Sequence, residues 1–66
     1  MNKTFIENLR QVRKNCGLTQ KQVATKLNIV ESCYANWEQG RTEPDITTII
    51  KLCKIFEVTA NDLFGF

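Results

Sequence analysis

T-Q-K-Q-V-A-T-K-L-N-I-V-E-S-C-Y-A-N-W-E-Q-G, from Thr19 to Gly40, is the stretch on which the reading of the fold turns. Thr19 is a good helix N-cap, because its hydroxyl can accept from a free first-turn N–H. The residues after it put Val23, Ala24 and Leu27 on one helical face. Asn28 then stands where the chain must turn, and Asn tolerates positive φ better than any residue but Gly. Beyond the turn, Val30, Cys33, Tyr34 and Trp37 recur at i, i+3, i+4 and i+7, with Glu31, Ser32, Ala35, Asn36 and Gln39 opposite. Gly40 ends the segment. Two short helices joined by a tight turn are predicted, with the methyl group of Ala24 letting their axes approach and one polar face left outside.

The flanks supply further helices. Phe5, Leu9, Val12 and Cys16 fall at i, i+4, i+7 and i+11 with Ile6 beside them, while Glu7, Arg10 and Lys14 lie off the stripe as solvated charges. Gly17 suits a left-handed cap, so a first helix is expected from about Asn2 or Lys3 to Cys16. Arg41 to Pro44 reads as a loop. Asp45 then caps a fourth helix that turns Ile46, Ile49, Ile50, Cys53 and Phe56 inward. Val58 leads into Thr59-Ala60-Asn61-Asp62, a shorter-acid form of the capping box, which opens a last turn of helix with Leu63 and Phe64. Gly65 and Phe66 follow. With no strand pattern, repeat or low-complexity linker, the expectation is an all-α, compact five-helix bundle forming one domain over residues 1–66.

Sixty-six residues allow one core and no deep cleft beside it. Hydrophobic residues at 42% suffice for that core and argue against a disordered chain. No apolar run approaches a membrane span of ~20 residues and no signal peptide is evident, so a cytoplasmic protein with no membrane partner is expected. Cys16, Cys33 and Cys53 form no C-x-x-C pair, and histidine is absent. Neither a zinc site nor a disulfide framework can be assembled from them, and they read as small apolar fillers. The residues call for no metal and no cofactor. The net charge is +2, but unevenly placed: seven basic residues face three acidic ones through Arg41, and two face four from Thr42 onward. A polyanionic partner should therefore meet the first two-thirds of the chain.

A small residue, a turn residue tolerant of positive φ and two large apolar residues, in that order, offer a helix to the major groove of DNA. At this point the chain resembles the phage repressor/Cro, or XRE-type, helix-turn-helix family. The likeness extends to F-I-E-N-L-R-Q-V-R-K at the start, G-L-T-Q before the second helix and Y-A-N-W-E-Q-G-R at the end of the third. P-D-I-T-T-I-I-K-L-C-K-I-F and V-T-A-N-D-L-F continue it. It implies a lambda-repressor-like DNA-binding domain of five helices, with the helix-turn-helix at helices 2 and 3, helix 3 as recognition helix, and action as a dimer. By the same resemblance Gln20 would meet a phosphate at a helix N-terminus. Glu31, Ser32 and Asn36 would face base edges, where the Asn36 amide can pair bidentately with adenine. Gln39 and Arg41 would hold the DNA backbone, and Arg13 with Glu38 would link helix 1 to helix 3. Two positions depart from the family pattern. Val30 stands where a Ser or Thr cap is usual, and Glu31 brings a carboxylate toward phosphates unless it accepts from cytosine N4.

Tyr34 and Trp37, at core spacing, are assigned to packing rather than to base stacking. Near the end of the sequence, Val58, Leu63, Phe64 and Phe66 suggest an apolar patch for a second subunit. The alternative is that Leu63 and Phe64 cover the core and Phe66 frays. The leading function is a sequence-specific transcriptional regulator, a repressor by expectation. Its partner would be double-stranded DNA with an inverted-repeat operator, bound by a homodimer. With no sensor domain expected, its control would rest on concentration, a protein partner or promoter occlusion. The alternative is an interaction module of antitoxin or adaptor type, which the low net charge and Glu31 keep open. No base–nucleophile pair supports an enzyme.

Overall fold

The computed structural model describes residues 2–66 and contains, among them, five helices and no strand. They are α1 (Lys3–Asn15), α2 (Gln20–Leu27), α3 (Glu31–Glu38), α4 (Ile46–Phe56) and α5 (Ala60–Phe64). Each start but one is written in a side chain. The Asn2 Oδ1 accepts from the Phe5 N–H at 2.8 Å, and Asp45 Oδ1 accepts from the Thr48 N–H at 2.8 Å. Thr19 with Gln22 and Thr59 with Asp62 both close reciprocal capping boxes, as their spacing predicts. α3 alone starts without a side-chain acceptor, because its N-cap is Val30.

The core is built from every helix. Phe5 and Leu9 of α1 meet Val23 and Ala24 of α2, Tyr34 and Trp37 of α3, Ile49, Leu52 and Phe56 of α4, and Leu63 of α5. α2 packs chiefly on α3, while α1 lies against α5 and α3, and α2 also touches α4. This places α3 at one side of the molecule with its far face uncovered.

Four expectations about facing are corrected, the first being Val30, which shares a period with Tyr34 and Trp37 but stands 68% exposed as the N-cap of α3. Ile46 and Ile50 are 72% and 52% exposed instead of inward. The inward stripe of α4 is Ile49, Leu52 and Phe56, and at about 100° per residue Ile46 and Ile50 sit roughly a quarter-turn or more away from its centre. Cys16 is exposed and not a filler, since α1 already ends at Asn15; Cys33 and Cys53 are half-buried. Leu63 is fully buried and so cannot form part of a dimer surface. Asn8 Nδ2 donates to the Leu63 carbonyl at 3.1 Å, tying the five residues of α5 to α1 with that side chain in the core. Among the described residues no helix is long and apolar enough to cross a membrane.

Candidate nucleic-acid interface

The turn between α2 and α3 rests on a backbone conformation that the sequence allows at one residue. Asn28 has φ 60° and ψ 43°, the left-handed region, and its N–H donates to the Thr25 carbonyl at 3.1 Å. The Ile29 N–H returns to the Ala24 carbonyl at 3.0 Å, closing the last turn of α2. Ala24 is buried at the crossing and Ile29 packs half-buried against the core, so the chain re-enters as α3 at a fixed angle. At the other end, Gly40 has φ 75° and the Arg41 N–H donates to the Asn36 carbonyl at 2.9 Å. A Cβ at Gly40 would lie 2.8 Å from Ile6 Cδ1, so the end of α3 passes close over α1.

With both ends held, α3 divides by face. Tyr34 and Trp37 point into the core and meet edge to face, ring centroids 5.6 Å apart at 70°. Their assignment to packing is correct. On the open side, Val30, Glu31, Ser32, Gln39 and Arg41 are exposed, whereas Ala35 and Asn36 are half-buried. By helical period Glu31, Ser32, Asn36 and Gln39 lie on the side of α3 away from Tyr34 and Trp37, with Asn36 set deeper than the rest.

Gln20 is placed differently from the expectation of a simple phosphate ligand. Its side chain is half-buried and Nε2 donates to Glu38 Oε1 at 3.0 Å. Glu38 itself is 1% exposed and is the centre of a polar cluster joining three helices. Arg13 grips it with Nε to Oε2 at 2.7 Å and Nη2 to Oε1 at 3.2 Å, and donates Nη1 to the Leu18 carbonyl at 2.9 Å. The Arg13–Glu38 link between α1 and α3 is therefore present. Arg10, read from the sequence as a solvated charge, also joins: Nη2 donates to the Glu38 carbonyl at 3.1 Å and Nε lies 3.7 Å from Oε1. The available signal was the i, i+3 spacing of Arg10 and Arg13, which puts both on one face of α1.

The electrostatics follow from that geometry. Burial acts to raise the Glu38 pKa, but the hydrogen bond from Arg13, then the nearby Tyr34 hydroxyl and the Gln20 amide, outweigh it and hold the carboxyl below its ordinary value. The same hydrogen bond raises Arg13 against a smaller effect of burial. Tyr34 is raised first by burial and then by Glu38. Its hydroxyl lies beside this carboxylate without closing a hydrogen bond of good geometry. On the outer side of α2, an open depression is lined by Leu18, Lys21, Gln22, Thr25 and Lys26. It adds two ammonium groups to this half of the molecule, and its lining contains no acid–base pair.

A family model described as "Helix-turn-helix" matches residues 9–63. The chain is 37% identical over 57 residues to the HTH-type transcriptional regulator ImmR of Bacillus subtilis (strain 168), covering 86% of this chain and 45% of that protein. It is 34% identical over 61 residues to the HTH-type transcriptional activator BcrR of Enterococcus faecalis, covering 92% and 30% respectively. Its fold matches a crystal structure of a transcriptional regulator from Listeria innocua with a TM-score of 0.83 at 35% identity, over 94% of this chain and 58% of that one. The chain thus spans about half the length, or less, of the curated relatives it matches.

Proposed function

The chain belongs to the helix-turn-helix family, and from that premise we propose that it is an XRE-type DNA-binding transcriptional regulator that reads its site with α3 in the major groove. The observation that carries this reading is the open face of α3. Glu31 and Ser32 are exposed on it, between an Asn28 turn and a Gly40 stop that fix the helix against α1 and α2. Glu31, Ser32 and Asn36 face the base edges. Gln39 and Arg41 meet phosphates beyond the helix, and Gln20 meets one with the amide hydrogen that Glu38 leaves over.

Binding as a homodimer to an inverted repeat is part of the proposal. Phe66 is 93% exposed and stacks on half-buried Phe64 with centroids 6.0 Å apart at 17°, and Val58 is half-buried. These three residues, without Leu63, are the apolar surface offered to a second copy. Two copies would then present α3 to half-sites about one helical turn, ~34 Å, apart. Repression follows where such a site overlaps a promoter.

Selection from a random DNA pool at low salt tests this directly, with an inverted repeat as the expected product. Failure to enrich any sequence would overturn it in favour of a protein-interaction module, for which the net charge of +2 and the exposed Glu31 speak. On the selected operator, Arg41→Ala should weaken binding to every sequence and reduce the salt slope by about one. Asn36→Ala should instead relax preference at one base position per half-site. Equal losses on operator and random DNA for both variants would refute this division of roles.

A further inference from the structure

Among the described residues, Val30 is the one large apolar side chain exposed between Thr19 and Gly40, at 68%. The other four helices begin at Asn2, Thr19, Asp45 and Thr59, each of which accepts a first-turn N–H, while Val30 accepts none. A serine at that position would cap α3, and an exposed valine contributes little to the core. Val30 directly precedes Glu31 and Ser32 at the exposed N-terminal end of α3, the end from which a recognition helix reaches base edges.

We propose that Val30 is a specificity-determining residue that reads the 5-methyl group of a thymine in each half-site. The inference rests on the DNA-binding reading above. Valine has no donor or acceptor, and the major-groove edge of a base pair offers one apolar feature, the methyl group of thymine. Cytosine at the same place would present an N4–H donor that Val30 cannot satisfy, so the contact discriminates against it as well. Valine suits the task because its β-branched side chain has little rotamer freedom to lose on contact. The missing cap on α3 then has a functional counterpart: the position is given to base recognition and not to helix stability.

The test replaces each thymine of the selected half-site in turn by deoxyuridine, which removes the methyl group and leaves base pairing intact. Wild-type protein should lose about fourfold in affinity per half-site at one position, the equivalent of burying one methyl-sized group. Val30→Ala and Val30→Ser should bind the thymine and deoxyuridine operators equally at that position. Val30→Ser, which gains a cap, should melt no lower than wild type, so its loss of discrimination is not a loss of folding. Enrichment of an operator in which no thymine-to-deoxyuridine change affects wild-type binding overturns the inference while leaving the DNA-binding reading standing. So does a Val30→Ser protein that keeps the wild-type preference. If the pool yields no operator at all, it is the DNA-binding reading that fails, and the inference with it.

Discussion

Single residues in this chain show where local conformation and side-chain identity agree, and where they conflict. Asn28 and Glu57 are the two non-glycine residues with positive φ among those described, at 60° and 55°. Asn28 is suited to the left-handed region, and the sequence could be read there correctly for that reason. Glu57 is not. It closes α4 in the left-handed conformation and also puts a carboxylate at a helix C-terminus, where the dipole disfavours negative charge. Glu57→Gly should therefore stabilise the protein by about 1 kcal/mol, the relief of αL strain less the extra entropy of a glycine in the unfolded chain. Urea denaturation should show a higher midpoint with an unchanged slope; a midpoint at or below that of wild type would refute it. Val30 is the opposite case, a residue whose conformation is ordinary and whose chemistry suits an exposed helix start poorly.

At the scale of elements, the helix starts were legible because a cap acts within three residues of itself. Thr19, Asp45 and Thr59 were readable as caps, and all three accept the hydrogen bonds their positions call for. What joins the elements was only half legible. The Glu38 carboxylate holds Arg13 of α1 and Gln20 of α2 at the end of α3, so the two helices of the motif are locked at a side-chain cluster as well as at Ala24. Burying such a pair adds little net stability, but removing one member leaves the other uncompensated, at about 3 kcal/mol. For a chain of this length, with a total of about 3–10 kcal/mol, that is a large share. Glu38→Gln should accordingly lower stability at neutral pH. The pH dependence has a definite sign. A carboxyl held below its ordinary value in the fold contributes stability in full above that value, near 4.5 for Glu, and loses it as pH falls through the lowered one. Asp45, lowered by its hydrogen bonds to Thr48, acts in the same direction. Denaturation followed downward from pH 6 should show wild type losing stability more steeply than Glu38→Gln, with Asp45 keeping some slope in both. Equal slopes would refute the role given to Glu38.

For the whole molecule, the distribution of apolar surface matters more than its amount. The described chain has a Cα radius of gyration of 10.4 Å, and its core takes side chains from all five helices. Besides Val30, two apolar areas among the described residues stay outside it: Ile46 with Ile50 on α4, and Phe66 over Phe64. Assembly through the second predicts a specific contrast. Phe66→Ser should reduce the apparent cooperativity of operator binding and shift sedimentation toward monomer, and Ile50→Ser should leave both unchanged. The reverse result would move the interface to α4.

Period and local chemistry sufficed to establish that this chain is five short helices with a helix-turn-helix at its centre. Caps, turn residues and apolar spacing act over a few residues, and each is written where it acts. Which way a given apolar residue faces depended on the positions of the other helices. Ile46, Ile50, Cys16 and Leu63 could each be called inward or outward from period alone, because a short helix offers a stripe wide enough to include them all. Packing chose among them: α5 on α1 buried Leu63, and the narrower inward stripe of α4 left two isoleucines in water. The Gln20–Glu38 bond likewise joins residues eighteen apart in sequence, and no local pattern reports a contact that exists only once α2 and α3 have crossed.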